Sequence, residues 1–157
     1  MHPATWHITP RPQECLAARK RKTSFHMIGQ SRIGNSDPVE AATLAAVHRF
    51  NEAFNRHDVD AVMEAMTEDC VFDSTRPPPD GERIVGRAAV RQFWEQFFSR
   101  SPQARFETEE MFASGDRCVV RWVYHWVRDG KPGHIRGVDV FRVRDGKVAE
   151  KLSYVKG

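Results

Sequence analysis

The 157-residue chain has the composition of one soluble globular domain, 40% hydrophobic and 29% charged, and no apolar run has the length of a membrane span. Its three cysteines are odd in number and widely spaced, which argues against a disulfide framework or a zinc site and favours the cytoplasm. The net charge of +3 comes from residues 1–36, which hold six Lys or Arg against one acid, so the remainder has no nucleic-acid-binding character.

Residues 1–36 show no sustained apolar period and contain three prolines and the basic run Arg19–Lys22. This composition predicts a disordered basic leader. Two more specific functions are possible for this segment: a targeting peptide, or a basic tail that binds nucleic acid. Met27 offers an alternative start, and the folded domain is predicted to span residues 37–157.

The first helix is predicted to begin at Asp37, where an aspartate cap is followed by Pro38 in the first turn and Glu40 at capping-box spacing. Apolar side chains then recur at helical spacing as far as Phe54. Asp58 is placed to cap a short second helix.

A short strand is predicted over residues 70–75, and a third helix follows Gly86 and ends before Pro102. Four further strands are predicted in the second half, near residues 106–113, 118–128, 134–143 and 148–155. This order predicts an α+β fold in which about three helices cover one face of a mostly antiparallel sheet.

The stretch from His134 to Val143 is the central strand, and its alternation places Asp139 in the middle of an otherwise apolar face. Burying a carboxylate is costly unless the charge is paired or the group is protonated. The candidate partners are His125 and Arg121. Asp139 is therefore the first candidate for a functional group.

Neighbouring strands can be registered onto this face. A two-residue turn at Asp145-Gly146 predicts that Asp139 lies opposite Leu152, which puts Glu150 and Tyr154 on the same face.

On the other side, a five-residue loop over residues 129–133 would place His125 opposite Gly137 and Val123 opposite Asp139. A loop shorter by one residue would move His125 to the opposite face. In the five-residue register, Gly137 leaves a gap through which a ligand could approach the sheet.

The same register turns Trp122, Tyr124 and Trp126 away from the helices, where they would form a large exposed apolar patch. We expect a second copy of the chain to cover this patch in a homodimer. The alternative is that the N-terminal segment covers it with Trp6 and Phe25.

Three stretches carry a resemblance to a known family: FNRHDVDAVMEAMTEDCVFDS, GRAAVRQFWEQFF and GVDVFRVRDGKVAEKLSYV. Their order and spacing over residues 38–157 resemble the SnoaL-like branch of the nuclear transport factor 2-like superfamily, with ketosteroid isomerases and polyketide cyclases as relatives. The resemblance implies a cone-shaped α+β barrel, in which a curved sheet wrapped by helices encloses a ligand pocket.

The resemblance also implies roles for single residues. Asp139 falls on the oxyanion-hole acid of the isomerases and on the acid/base aspartate of the cyclases, and His125 falls on a pocket histidine of the cyclases. Phe50 stands where the isomerases have a tyrosine and Ser74 where they have the general base, which argues against steroid isomerisation. The remaining pocket-lining candidates are Trp94, Val123, Gly137, Glu150 and Tyr154.

Two functional hypotheses follow. The first is a cofactor-free isomerase, cyclase or lyase that acts on a small apolar carbonyl compound, with Asp139 as acid/base and His125 assisting. The second is a non-catalytic binding or interaction domain. A second titratable group within hydrogen-bond reach of Asp139 would favour the enzyme. The chain shows no phosphate loop, dinucleotide fingerprint or serine elbow, so no cofactor and no metal are expected.

Overall fold

Three helices and six strands form the part of the chain that the structure, a computed structural model, describes, which is residues 37–156. The predicted basic leader over residues 1–36 lies outside the described residues. The helices are α1 (Pro38–Asn55), α2 (Val59–Glu64) and α3 (Arg87–Arg100). The strands are β1 (Met66–Asp73), β2 (Arg83–Val85), β3 (Arg105–Ser114), β4 (Arg117–Arg128), β5 (Lys131–Arg144) and β6 (Lys147–Val155).

The predicted helix starts are confirmed by their caps. The Asp37 carboxylate accepts a hydrogen bond from the backbone N–H of Val39 at 2.9 Å, and Asp58 caps α2 by accepting from the N–H of Ala61 at 3.0 Å. Glu40, expected to complete a capping box, instead accepts from the backbone N–H of Gly115 at 3.4 Å. Within the described residues, no helix has the length and apolarity needed to cross a membrane.

The six strands form one curved sheet in the order β2-β1-β6-β5-β4-β3, in which only β1 and β6 run parallel. Register shifts interrupt β3 near Glu109 and β6 near Ala149, and such bulges bend a sheet. Helix α1 packs on β3 and α3 on β1. The predicted cone-shaped α+β fold is confirmed, although the short edge strand β2 was not predicted.

The core between the helices and the concave face of the sheet is aromatic. Phe50 of α1 meets Phe141 of β5 with ring centroids 5.7 Å apart, and Phe54 meets Trp94 of α3 edge to face at 5.3 Å. Such pairs each contribute about 0.5–1.5 kcal/mol beyond the burial of their area. These contacts fix α1 and α3 over the centre of the sheet.

The predicted register between β4 and β5 is wrong. The two strands are joined by a two-residue turn at Asp129 and Gly130, both with positive φ (52° and 71°), which matches the twist of a hairpin. His125 therefore lies opposite His134, and Val120 lies opposite Asp139. Because the register moves by an odd number of residues, every side chain of β4 changes face, and His125 lies on the outer face of the sheet.

The predicted outer aromatic patch is wrong for the same reason. Trp122 is 4% exposed and packs on Phe106 at 4.8 Å, and Tyr124 lies 6.1 Å from Phe97 of α3. Trp126 follows on the same face, 5.4 Å from Tyr124. The three aromatics lie on the concave side and do not form the predicted outer patch, and the homodimer itself stays a prediction.

The predicted turn between β5 and β6 is confirmed, since Arg144 pairs with Lys147. One residue later, a bulge at Ala149 shifts the pairing, so that Asp139 lies opposite Ser153 rather than Leu152. The shift moves every residue of β6 after Ala149 to the face of the sheet opposite to the one predicted. The concave face of β6 presents Lys151 and Ser153, and the outer face presents Glu150, Leu152 and Tyr154.

Candidate active site

A cavity of about 170 Å³ lies between α1, α3 and the concave face of the sheet. Its walls are largely aromatic, with side chains from both helices and from strands β1, β3 and β4. The aromatic residues are Phe50, Phe54, Phe72, Phe93, Trp94, Phe97, Phe106, Trp122 and Tyr124. A concave apolar site with a few convergent polar groups is typical of small-molecule binding.

The charged centre of this cavity is an ion pair between Asp139 of β5 and Lys151 of β6. Lys151 Nζ lies 2.7 Å from Asp139 Oδ2, and the two side chains are only 7% and 5% exposed. Since a buried charge must be paired, Lys151 is the partner that the buried carboxylate of Asp139 requires. The partner is neither His125 nor Arg121, the two neighbours considered from the sequence.

Lys151 is held on several sides. Its ammonium donates a hydrogen bond to Ser153 Oγ at 2.7 Å, and it lies 5.1 Å from the ring centre of Phe72 and 5.7 Å from that of Phe141. Burial lowers the pKa of Lys151 from its usual value of 10.5, although the nearby Asp139 carboxylate opposes that effect. The position of the amine is therefore fixed, while its proton is held less firmly than in an exposed lysine.

The other carboxylate oxygen of Asp139 has no such contact. Within residues 37–156, no hydrogen-bond donor reaches the buried Oδ1 atom, and no acceptor lies within hydrogen-bond reach of the indole N–H groups of Trp94 and Trp122. All three residues line the cavity. Buried polar atoms are normally satisfied, so this site has polar capacity left for a bound molecule.

A wider cleft of about 1050 Å³ adjoins the cavity and shares several of its lining residues, among them Thr75, Phe97 and Tyr124. The cleft runs along the β4–β5 hairpin past Trp126 and Val127. The shared walls place the cleft directly beside the cavity that holds the buried ion pair.

Four of the site residues predicted from the sequence line the cavity, namely Phe50, Ser74, Trp94 and Asp139. The Ser74 hydroxyl donates to the carbonyl oxygen of Arg76 at 2.6 Å and accepts from the N–H groups of Arg76 and Glu82 at 3.3 and 3.4 Å. These bonds hold the loop after β1 at the edge of the cavity.

His125 and Glu150 do not reach the cavity. His125 Nε2 lies 3.4 Å from the Glu107 carboxylate on the outer face, so it cannot serve as the partner of Asp139. Glu150 forms ion pairs with Arg117 at 3.1 Å and Arg142 at 2.7 Å on that face. Both were predicted on the cavity side, and both predictions fail because the registers differ from those expected.

The other three predicted lining residues are also outside the cavity. Val123 and Tyr154 lie on the outer face, where Tyr154 is 57% exposed. Gly137 does lie on the concave face, but the predicted gap there is filled by the ring of Trp122. A Cβ added at Gly137 would lie 2.3 Å from that ring and 2.4 Å from the Tyr154 carbonyl oxygen.

Lys151 and Ser153 were not predicted as site residues from the sequence, and Trp122 and Tyr124 were predicted on the wrong face. One signal for β6 was present: Val148 and Ala149 are adjacent apolar residues, and both are buried, at 0% and 3% exposed. Two consecutive buried residues break the alternation of a regular strand and indicate a bulge. A bulge at that point would have brought Lys151 onto the face of Asp139.

Within residues 37–156, no group of three or more His, Cys, Asp or Glu side chains is arranged to hold a metal ion. The polar chemistry available in the cavity is that of the carboxylate, the amine and the hydroxyl of Asp139, Lys151 and Ser153, with the two indole N–H groups at its walls. Such a set can exchange protons with a ligand and stabilise charge on it.

Comparisons with known proteins agree with the fold. The family model described as the SnoaL-like domain matches residues 47–151. An NTF2-like protein of unknown function from Mesorhizobium loti is 40% identical, with 78% of this chain and 98% of that chain covered and a TM-score of 0.68. A candidate polyketide cyclase from Xanthomonas campestris pv. campestris is 27% identical, with 74% and 92% covered and a TM-score of 0.61.

An LEH-like epoxide hydrolase from M. tuberculosis is 20% identical, with 76% of this chain and 86% of that chain covered and a TM-score of 0.63, a likeness of fold alone. None of the curated proteins matches the chain significantly. Because the SnoaL-like model spans most of the folded region and the Mesorhizobium structure matches at 40% identity, this chain belongs to the SnoaL-like family.

Proposed function

We propose that this SnoaL-like protein is a cofactor-independent isomerase, cyclase or lyase that moves a proton on a small, largely apolar carbonyl compound, with Asp139 as its acid/base. One observation carries the proposal. Asp139 lies in an aromatic cavity with one carboxylate oxygen fixed by Lys151, while no donor within residues 37–156 reaches the other oxygen.

In the proposed reaction, the free oxygen of Asp139 removes a proton from the carbon next to the substrate carbonyl. The carbonyl becomes an enolate, and its negative charge is stabilised by Lys151 and by cavity N–H groups. The carboxyl group then returns the proton at a second position or supports bond formation or cleavage at that carbon. The aromatic walls exclude water, which strengthens each of these charge interactions.

Two findings support an enzyme rather than a simple binding domain. Acid/base turnover needs a titratable partner near the working carboxylate, and Lys151 meets that requirement at 2.7 Å. The candidate polyketide cyclase that is 27% identical carries a name that implies carbonyl substrates.

Exchange of solvent deuterium into a ketone tests the proposal without knowledge of the natural substrate. The full-length protein is mixed with 2-tetralone in deuterated buffer, binding is followed by tryptophan fluorescence, and exchange at the α-carbon by NMR. We expect the protein to accelerate exchange and Asp139→Asn to lower that rate by about 10²–10⁴-fold. Glu107→Gln on the outer face is the control. Bound ketone exchanging equally in wild type and Asp139→Asn would refute the role of Asp139.

We also propose that two copies pair through the outer face of the sheet. Val138, Val140 and Leu152 lie half-buried there, beside ion pairs of both signs such as Arg121–Glu110. A two-fold interface needs a surface that complements itself, and mixed charges around an apolar stripe satisfy that need. Analytical ultracentrifugation of the full chain should show a dimer that Val138→Arg dissociates; a wild-type monomer at micromolar concentration would refute it.

A further inference from the structure

We infer that Lys151 is a covalent catalytic amine that forms a protonated Schiff base with the carbonyl carbon of an aldehyde or ketone bound in the cavity. This inference rests on the proposed function, because it uses the same cavity and the same class of substrate. It adds a covalent intermediate on β6 to a reaction in which Asp139 moves the proton.

The placement of Lys151 separates it from the other lysines of the described residues. Lys131, Lys147 and Lys156 are exposed, whereas Lys151 is buried and lines the cavity. Its Nζ atom is fixed by Asp139 and Ser153, both at 2.7 Å. A ligand that fills the cavity therefore meets one amine, in one position, with an acid and a hydroxyl beside it.

The surroundings also favour the reactive form of that amine. Only a neutral amine attacks a carbonyl, and an exposed lysine is almost fully protonated at neutral pH. Burial lowers the pKa of Lys151. Transfer of its proton to Asp139 would convert two charges into a neutral amine and a neutral acid, a change that an apolar site favours.

Stability alone is a weak explanation for this pair. A buried ion pair is often no more stabilising than apolar residues of the same volume. Other charged side chains of the sheet, such as Arg121 and Glu110, pair on the outer face with their side chains about half exposed to water. An amine and a carboxyl group inside a ligand cavity are, by contrast, the two groups that Schiff-base formation requires.

The Schiff base forms through a carbinolamine. Neutral Lys151 Nζ attacks the carbonyl carbon, a C–N bond forms, and the C=O electron pair moves to oxygen. A proton passes from nitrogen to that oxygen, with Ser153 Oγ placed to relay it, and gives a carbinolamine. Asp139, as the carboxylic acid, protonates the hydroxyl; the C–O bond breaks, water leaves, and the nitrogen lone pair completes the C=N⁺ bond.

The iminium then makes the neighbouring C–H more acidic, and the Asp139 carboxylate removes that proton to give an enamine. Return of the proton and attack of water on the iminium carbon release the carbonyl compound and restore the amine. The covalent route thus serves the same proton movement as the proposed function.

Reductive trapping tests the inference on the full-length protein. We would mix it with 2-tetralone and sodium cyanoborohydride at neutral pH, because hydride converts an iminium into a stable secondary amine. Intact mass spectrometry should show one adduct equal to the mass of the ketone less its oxygen. Peptide mapping should place it on Lys151 and leave the exposed Lys147 unlabelled, because Lys151 lines the cavity that holds the ketone.

Matched variants separate the roles. Lys151→Arg keeps a positive partner for Asp139 but has no nucleophilic amine, so the adduct should disappear, whereas Lys147→Arg should leave it unchanged. The wild-type map decides the matter even if Lys151→Arg fails to fold. No adduct, or equal labelling of all lysines, overturns the inference.

Deuterium exchange distinguishes this inference from the proposed function. Asp139-dependent exchange on wild type with no adduct at Lys151 would overturn the Schiff base and leave acid/base catalysis standing. Neither exchange nor adduct, with the ketone bound, would overturn both. Exchange together with an adduct on Lys151 supports both.

Discussion

The two faces of the same sheet carry ion pairs in opposite environments. On the concave face, Asp139 and Lys151 pair at 2.7 Å with side chains 5% and 7% exposed, among aromatic rings. On the outer face, Arg121 and Glu110 pair at 2.9 Å with side chains 53% and 51% exposed. Both pairs join a basic side chain to a carboxylate, and the two N–O distances are nearly equal. Access of water, set by which face a residue occupies, decides which pair can take part in a reaction.

The helices create this difference. They cover the concave face alone, so a charge on that face loses its hydration and must find its stabilisation in one neighbouring side chain. On the outer face, Arg121 stays about half exposed to water and has two partners, Glu109 and Glu110. When a charged side chain is removed from the outer face, water can solvate the partner that remains. When one is removed from the cavity, its partner is left as an unpaired charge among apolar side chains.

The largest effect should come from breaking the buried pair. Lys151→Met leaves the Asp139 carboxylate without its partner, and we expect the free energy of unfolding to fall by about 3–5 kcal/mol. Urea denaturation followed by circular dichroism measures this. The double variant Asp139→Asn with Lys151→Met removes both charges and should recover most of the loss.

The double variant also tests the cause. If it is as unstable as Lys151→Met alone, lost packing of the lysine stem on Phe72 and Phe141 would explain the effect better than an unpaired charge. The contrast between the two faces would then be one of packing and not of electrostatics.

The features that the sequence predicted correctly are those set by residues close together in the chain. Helix starts follow local rules, and Asp37 and Asp58 cap as expected. Asp139 was identified as a buried acid because alternation along one strand is also local. The partner of that acid depends on register between strands, which a single turn or bulge can change.

Two such changes account for the wrong site residues. The turn at Asp129 and Gly130 has two residues where five were expected, which sent His125 outward and brought Trp122 inward. The bulge at Ala149 brought Lys151 inward and sent Glu150 outward. Neither change alters the composition or the order of the strands, so the fold was predicted while half of the site was not.

An intermediate effect is expected for a second buried group of the concave side, the thiol of Cys118 on β4. Burial raises the pKa of Cys118 from 9.0 to about 11. A raised pKa in the folded state means that the stability it contributes is present below pH 9 and is lost as the pH rises through about 11. The free energy of unfolding should therefore decline more steeply over this range in wild type than in Cys118→Ala.

Urea denaturation at a series of alkaline pH values measures both slopes, and subtracting one from the other removes the contributions of groups common to both proteins. Parallel slopes would mean that the thiolate forms as readily in the folded chain as in the unfolded one. The concave side would then exclude water less completely than the difference between the two faces requires.

The smallest effect is expected on the outer face. Arg121→Met removes the ion pairs of a half-exposed arginine with Glu110 and Glu109, so we expect a loss of about 0–1 kcal/mol, and less in high salt because ions screen exposed charges. A double-mutant cycle with Glu110→Gln isolates the Arg121–Glu110 pair. The measurement belongs at low protein concentration, since in a dimer formed through this face Arg121 would be partly buried. A loss near 3 kcal/mol that grows with protein concentration would show that a second copy covers the outer face. The same loss in a dilute monomer would mean that an ion pair on the outer face stabilises the fold as much as the buried pair does, contrary to the difference expected between the two faces.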